Sequence, residues 1–243
     1  MLSIFIFSFH TCNILIVFCP RYYHFIEKSN DIDVVFAVEG FPDTTGNSHV
    51  MSRIKQFMSA SLDYFTLSGD SSHVGLFTFG SSKESSSKIH LNLREGRNSK
   101  IARFAIQNFR RRGDNEYENQ PQKVNVLEML NTAQQDMFAP HGREQTKKLL
   151  IVFATSATRS QLMEGAEVVK KLKEMKNKPS IQTAVVLLDS PVVQLQDFDR
   201  LRSVIGNSLL LVRNDGQSLP NAFPDFEKLI ANIVGMYRMI AFQ

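Results

Sequence analysis

Cysteine is scarce in this chain of 243 residues, and both copies, Cys12 and Cys19, lie among the first 20 residues. The rest of the sequence has no thiol, which excludes an internal disulfide framework, a zinc–thiolate site and a cysteine nucleophile from it. The sequence also lacks any Asn-x-Ser/Thr sequon for N-glycosylation. These absences leave the compartment open, because large extracellular domains also fold without disulfides.

Enzymatic signatures are missing as well. The tetrapeptide Glu39-Gly40-Phe41-Pro42, which follows a strongly apolar run, is neither a dinucleotide-binding nor a Walker phosphate loop, and no Gly-x-Ser-x-Gly nucleophile elbow occurs. The six histidines show no metal-ligand spacing, and a structural role is expected for His73 and His90, beside or within predicted strands. We therefore predict a protein that is not an enzyme and that needs no cofactor.

The charge of the chain is modest, with a net value of +4. This balance excludes the strongly basic stripe of a nucleic-acid binder, and the 19 phenylalanines fit a core better than base-stacking platforms. One lysine-rich stretch could attract acidic glycosaminoglycans, but glutamates are interspersed in it, so a solvated helix face is favoured. The stretch comprises Lys170, Lys171, Lys173, Lys176 and Lys178, with Glu164, Glu167 and Glu174 among them and Lys147 and Lys148 earlier in the chain.

The most apolar part of the chain is its first 20 residues. Two features of a typical signal peptide are missing, because no Lys or Arg precedes the apolar run and no small-x-small cleavage site stands before Pro20. A membrane span is less typical still, because the run is too short and too interrupted by polar residues. We interpret residues 1–30 as a leader, with an export signal favoured over a membrane anchor or the irregular start of a fragment. Residues 31–243 are predicted to form one domain.

Apolar runs typical of strands alternate with helical periodicity along this domain. Strands are predicted at 33–38, 74–79, 89–93, 149–154, 184–188 and 209–212, and helices at 50–67, 99–109 (with Ser99 as N-cap), 126–138, 166–175, 197–205 and 224–240. This alternation predicts an α/β fold with a central, mostly parallel sheet, one antiparallel edge strand at 89–93, and helices on both faces. Binding sites are then expected at the carboxyl ends of the strands.

The strand beginning Asp33-Val34-Val35-Phe36 and ending before Glu39 resembles the first strand of von Willebrand factor type A domains, most closely those of collagen type VI. Residues 74–79, 148–158 and 199–206 resemble later parts of that family in the same order. The resemblance implies a Rossmann-like domain with a metal-ion-dependent adhesion site. In that site, Asp-x-Ser-x-Ser, a Thr and an Asp from three loops hold Mg²⁺, and a partner's carboxylate completes the shell.

The sequence departs from the adhesion-site pattern at every position. Glu39 stands at the first Asp, Phe41 and Asp43 at the two serines, Val124 at the Thr and Ser156 at the third-loop Asp. Two hydroxyl ligands have become apolar and one carboxylate has become a hydroxyl. The sequence therefore predicts a degenerate site without a bound metal ion, whose former ligand positions are ordinary loop residues.

A separate motif, Arg112-Gly113-Asp114, lies in the polar stretch 110–123. On an exposed loop this tripeptide can dock an integrin, because its Asp coordinates the integrin's metal ion while its Arg meets a carboxylate. The preceding Arg110 and Arg111 favour the alternative of a simple basic surface run.

Together these features predict a secreted, non-catalytic protein-binding module in extracellular matrix adhesion or assembly, similar to the globular domains of collagen type VI. Expected partners are matrix proteins, such as collagen or an integrin, and no small-molecule substrate or nucleic acid is expected. One alternative is an intracellular A-domain scaffold for a protein complex. Another is an α/β enzyme that uses Glu39, Asp43 and Ser156 as a cleft.

Overall fold

The computed structural model describes residues 31–39, 48–80, 87–109, 124–154, 156–177, 180–187, 200–201, 203–204 and 209–210. The strands are β1 (Ile32–Glu39), β2 (His73–Phe79), β3 (Lys88–Leu91), β4 (Lys147–Ala154), β5 (Ile181–Leu187) and β6 (Leu209–Leu210). The α-helices are α1 (Ser48–Ser61), α2 (Ser99–Asn108), α3 (Val126–Asn131), α4 (Ala139–His141), α5 (Ser156–Glu164) and α6 (Ala166–Asn177).

The strands form one sheet in the order β3-β2-β1-β4-β5-β6. All neighbouring strands are parallel except β2 and β3, which are antiparallel. The predicted class, a mostly parallel α/β sheet with one antiparallel edge strand, is therefore confirmed. The long helical connections explain the parallel pairing, because a parallel strand can be reached only by a crossover.

The sheet carries a hydrophobic core on each face, and β1 shows why its sequence is apolar throughout. Alternate residues of β1, such as Val34 and Phe36, pack in the core formed with α1 and α2, while Val35 and Ala37 pack in the core formed with α3 and α6. Every residue of β1 is buried. A strand covered by helices on both sides needs apolar side chains in both directions, as the continuous run predicted.

Several predicted boundaries shift in the structure. The predicted helix 50–67 ends as α1 at Ser61 and continues as a short 3-10 turn, Leu62–Tyr64. The N-cap of α2 is Asn98 and not Ser99, because the Asn98 side chain accepts hydrogen bonds from the backbone nitrogens of Lys100 and Ile101 at 2.9 and 3.2 Å. This side-chain oxygen satisfies backbone donors that have no partner within the helix.

Two helical regions differ more from the sequence prediction. The single helix predicted at 126–138 is observed as α3, a π-helical segment at Thr132–Phe138 and then α4. The stretch after β4, predicted to be a loop, forms α5 instead. Its apolar periodicity is weak, because Leu162 is the only apolar side chain that is fully buried among the described residues of α5. The other fully buried residue, Thr158, is polar.

The leader at 1–30 and the predicted helix at 224–240 lie outside the described residues. The predicted helix 197–205 and strand 209–212 are described only at 200–201, 203–204 and 209–210, in the predicted helical and extended states. Within the described ranges, none of the helices combines the length and apolar character required to cross a membrane.

At the amino end of β1, a buried carboxylate joins three parts of the chain. Asp33, which is fully buried, accepts hydrogen bonds from the Arg143 side chain, from the Arg143 backbone nitrogen and from Thr146 Oγ1. Arg143 also donates to the backbone oxygen of Asp70, in the segment ahead of β2. We name Asp33, Arg143 and Thr146 the amino-edge cluster. It lies at the opposite edge of the sheet from the strand carboxyl ends.

Candidate functional site

The strands β1, β2 and β4 end side by side at the carboxyl edge of the sheet. Val38 of β1 is level with Thr78 of β2 and with Phe153 of β4, so the segments that follow these strands begin close together. In open α/β sheets, ligands bind outside this edge. Glu39, the last residue of β1, is therefore placed where the sequence predicted a site.

Glu39 is buried, with 1% of its surface exposed, although it carries a carboxyl group. Thr158, a fully buried residue in the first turn of α5, donates a hydrogen bond from Oγ1 to Glu39 Oε2 at 2.5 Å. Removing a carboxyl group from water is costly unless such a partner replaces the lost hydration. The hydrogen bond between Glu39 and Thr158 therefore joins the end of β1 to the start of α5.

Thr158 is a site residue that the sequence reasoning missed. In the family pattern, Ser156 is the position after β4 at which a metal ligand stands. A signal was nevertheless present, because hydroxyl residues shortly before Leu162 are typical of a helix start. A helix beginning at Ser156 places Thr158 and Gln161 three residues apart, on one side of the helix.

Gln161 joins α5 to the segment that precedes α3. Its Nε2 donates to the backbone oxygen of Val124 at 2.5 Å, and its Oε1 accepts from the backbone nitrogen of Val126 at 3.1 Å. Both ends of one amide side chain therefore satisfy backbone groups of the second loop region. Through Thr158 and Gln161, α5 holds segments from β1 and from the start of α3.

Val124 does not line an open loop. Its side chain is 4% exposed and packs in the core with Val126 and Leu162. Next to it, Asn125 caps α3: its Oδ1 accepts from the Glu128 backbone nitrogen at 3.0 Å. Val124, the position aligned with the family's Thr, therefore serves core packing, while its neighbour Asn125 initiates the helix.

The remaining predicted positions are only partly placed. Phe41, Asp43 and the Arg112-Gly113-Asp114 motif lie outside the described residues, and Ser156 is described only as the first residue of α5. Of the five adhesion-site positions, the structure thus places the side chains of Glu39 and Val124. Among the described side chains, no three of His, Cys, Asp and Glu lie close enough together to hold a metal ion.

His90 belongs to the edge strand β3 and is half-buried against the α2 side of the sheet. Its Nε2 lies 3.0 Å from Thr78 Oγ1, and its ring centroid is 5.6 Å from that of Phe109. Burial, and secondarily the charge of Lys88, lower the pKa of His90 from 6.5 to about 4. The imidazole is therefore neutral at physiological pH, and its contacts are with a strand and a helix end.

We expect the stability of the domain to fall as the pH is lowered from 6.5 to about 4, in part through His90. Above pH 6.5 the imidazole is neutral in both states, and below it the unfolded chain takes up a proton that the folded state resists. After allowance for solvent screening, the loss should be on the order of 1–2 kcal/mol. Urea denaturation at several pH values, compared with His90→Gln, measures this contribution.

The advantage of the native chain over His90→Gln should shrink across that interval, and the imidazole C2 proton should titrate near pH 4 by NMR. A resonance that titrates near 6.5 would contradict the assignment.

The fold is an α/β domain with a mostly parallel sheet covered by helices, and comparison with known families identifies its class. Residues 33–204 match the von Willebrand factor type A domain. The chain belongs to this family. Domains of the family are generally protein-interaction modules and not enzymes.

Solved structures with similar folds have low sequence identity to this chain. Proximal thread matrix protein 1 from the mussel byssus matches with a TM-score of 0.61 and 11% identity, over 86% of this chain and 47% of that one. Manganese-loaded TRAP protein of Plasmodium vivax matches with a TM-score of 0.56 and 12% identity, over 84% of this chain and 74% of that one. The chain thus spans about half of the mussel protein. No curated protein matches the sequence.

Proposed function

We propose that this chain is a non-catalytic binding module for adhesion or matrix assembly, and that its carboxyl-edge loops contact a partner protein without a bridging metal ion. The observation that carries this proposal is the buried hydrogen bond between Glu39 and Thr158. Membership of the von Willebrand factor type A family supports the protein-binding part, since these domains are generally interaction modules.

The chemistry of the described residues supports our proposal of binding without Mg²⁺. That ion takes oxygen ligands in near-octahedral geometry at about 2.1 Å. Here Glu39 Oε2 accepts the hydroxyl hydrogen of Thr158, and Val124 offers only a backbone oxygen, which accepts from Gln161. In sequence, Phe41 has no side-chain oxygen either. Hydrogen bonds within the protein thus occupy groups at the positions that would supply metal ligands.

These hydrogen bonds support a binding role because they connect the carboxyl-edge segments to one rigid helix. Thr158 and Gln161 of α5 reach the end of β1 and the start of α3, respectively. Loops whose ends are held in this way lose less conformational entropy when a partner binds. We propose that preorganisation by α5 stands in for the order that a metal ion provides.

The partner we propose is a matrix protein, with a role like that of the collagen type VI domains, and the location we propose is extracellular. The similar fold of a mussel byssus thread matrix protein supports this view, although 11% identity carries only the fold. The Arg112-Gly113-Asp114 motif makes an integrin a second partner to test. A scaffold inside the cell is the alternative within the same family.

A solid-phase binding assay with immobilised collagens and a purified integrin ectodomain tests the proposal. We expect the chain to bind at least one of the collagens with equal affinity in Mg²⁺ and in EDTA, because the proposed contact does not include a metal ion between this chain and its partner. Calorimetry with Mg²⁺ or Mn²⁺ should show no saturable heat from the domain itself. The integrin arm is read by comparison with Asp114→Ala, since the integrin carries its own metal ion.

Two variants in α5 provide a matched comparison. Thr158→Val removes the hydroxyl that contacts Glu39, and we expect roughly tenfold weaker collagen binding, equivalent to about 1.4 kcal/mol. Ser160→Ala removes an exposed hydroxyl that contacts Glu164 and should leave binding unchanged. Collagen binding that disappears in EDTA would overturn the metal-free proposal. Failure to bind every collagen and the integrin would favour the intracellular scaffold.

A further inference from the structure

The large hydrophobic side chains that the described structure exposes are clustered in the sequence. They are Ile89 in β3, exposed by 42%, and Ile101 and Phe104 in α2, exposed by 47% and 69%. Single exposed apolar residues are ordinary on protein surfaces, but these three fall within one segment at the β3 edge of the sheet. Ile101 and Phe104, three residues apart, share one side of α2.

The helix α2 packs against the rest of the described domain through one side only. Its buried side consists of Ala102 and Ile106, which pack in the core shared with α1. Polar contacts also fasten that helix, because Arg103 donates to the backbone oxygen of Ser59 and pairs with Asp63. Ile101 and Phe104 therefore face outward, and neither packs in the hydrophobic cores of the described residues.

Exposed cations outnumber acids in the segment next to this apolar pair. Arg94, Arg97 and Lys100 are exposed at the amino-terminal end of α2, and none of them forms an ion pair within the described ranges. The nearby acid, Glu95, exchanges hydrogen bonds with Asn92 in the turn before the helix. We name Arg94, Arg97, Lys100, Ile101 and Phe104 the α2 surface.

A comparison with α6 shows that the α2 surface is unlike an ordinary solvated helix. The exposed residues of α6 mix both charges, for example Lys170 and Lys173 with Glu167 and Glu174. No large hydrophobic side chain of α6 is exposed. The α2 surface instead has an exposed aromatic side chain, Phe104, four residues after the exposed Lys100 on the same helix.

We propose that the α2 surface docks an acidic peptide segment of a partner protein, with an apolar side chain of that segment against Phe104 and its carboxylates near Arg97 and Lys100. Charge complementarity selects the acidic partner, and the aromatic ring supplies the desolvated contact that characterises binding hot spots. This surface is separate from the carboxyl-edge site, so the chain would offer two binding surfaces.

A protein segment fits this surface better than an anionic membrane does. Helices that lie on membranes carry cations along their polar face and a long apolar face. The exposed cations Arg94, Arg97 and Lys100 precede or begin α2, and Arg103 in the middle of the helix pairs with Asp63. The exposed residues at its carboxyl end are the neutral Gln107 and Asn108. The apolar contact is limited to Ile101 and Phe104, which suits one or two anchoring side chains.

Fluorescence anisotropy with a labelled soluble peptide, in which glutamate alternates with leucine and phenylalanine, tests the proposal on the full chain. We expect saturable, salt-sensitive binding that weakens by about tenfold in Phe104→Ser and in Lys100→Glu. Lys173→Glu in α6 is the matched charge-reversal control and should bind like the native chain. Thermal melting of each variant verifies that it is folded, which is expected because all three residues are exposed.

The remaining outcomes would overturn the proposal. A glutamate-only peptide that binds equally well would show unspecific charge attraction, and no binding of the apolar-acidic peptide would show that the surface has no such partner. Sedimentation with phosphatidylserine vesicles that depends on Phe104, without peptide binding, would assign the surface to membranes. The collagen assay is independent, because Phe104→Ser should not alter metal-free binding at the carboxyl edge.

Discussion

Replacement of Asp33 by alanine is expected to lower the free energy of unfolding by about 3–5 kcal/mol, a large part of the total stability of a typical domain. Asp33 is fully buried, and its two oxygens accept four hydrogen bonds. Arg143 supplies three of them at 2.9 to 3.2 Å, and Thr146 supplies the fourth at 2.8 Å. Loss of the carboxylate would leave two guanidinium nitrogens and the backbone nitrogen of Arg143 without their acceptor, while Thr146 Oγ1 would keep the backbone oxygen of Arg143 at 3.0 Å.

The expected loss of stability is large because the carboxylate of the amino-edge cluster, Asp33, is buried at the start of β1. Hydrogen bonds in the low-dielectric interior are strong when made and costly when one partner is removed. The contacts also join β1 to a turn 110 residues later, and Arg143 continues to the backbone of Asp70 before β2. Asp33→Ala should therefore loosen three segments together.

Chemical denaturation monitored by circular dichroism measures the change, and the chain supplies its own control. Asp63 pairs with Arg103 at 2.5 Å, but the Asp63 side chain is 69% exposed. Asp63→Ala should cost at most about 1 kcal/mol, because exposed ion pairs are screened by water. If Asp33→Ala does not fold, Asp33→Asn, which retains one acceptor oxygen, should fold with intermediate stability. Equal, small losses for Asp33→Ala and Asp63→Ala would contradict the expected role of the cluster.

Substitution of Gly96 by alanine should destabilise the domain by about 3 kcal/mol or more, because overpacking against backbone exceeds the usual 1–3 kcal/mol cost of an oversized core side chain. A Cβ atom at Gly96 would lie 1.5 Å from the backbone oxygen of Val74 and 2.6 Å from its carbonyl carbon. Val74 belongs to β2, which pairs with β1 and β3 on its two sides. The backbone of Val74 therefore cannot move away without disturbing the sheet.

Gly69→Ala is the matched control for this prediction. No atom lies within 4 Å of a Cβ built at Gly69, so the change should remain within about 0.5 kcal/mol. Thermal denaturation of both variants, with the unfolding enthalpy recorded, provides the comparison. A Gly96→Ala domain as stable as Gly69→Ala would mean that the turn Glu95–Arg97 does not need its close approach to β2.

The parts of the fold that could be predicted are those with a local signal. The runs in β1 and β4 are apolar at consecutive positions, which a strand requires when helices cover both its faces. By contrast, both Asn98 and Ser99 are capping residues by type, and only the geometry shows that Asn98 accepts the hydrogen bonds. The π-helical segment at Thr132–Phe138 could not be predicted either, because the apolar periodicity of this stretch is that of an ordinary helix.

The position of Glu39 at the end of a strand could be predicted from the sequence, but the contacts of its side chain could not. Glu39 could be assigned to a strand end because parallel strands share a carboxyl edge. Its partner Thr158 lies 119 residues away, and no spacing rule links two such residues. Val124 had to be assigned by alignment, and only its burial identifies it as a core residue.

The sequence by itself therefore determined the alternation of strands and helices and the two-sided burial of the sheet, because both depend on residues close together in the chain. It also determined the absence of thiol chemistry from the domain, which follows from composition alone. Tertiary structure alone decided which polar groups meet: Glu39 with Thr158, Gln161 with the backbone before α3, and Asp33 with Arg143. Apolar burial is nearly independent of direction and leaves a periodic trace. Hydrogen bonds require particular atoms at particular angles, which only the folded chain brings together.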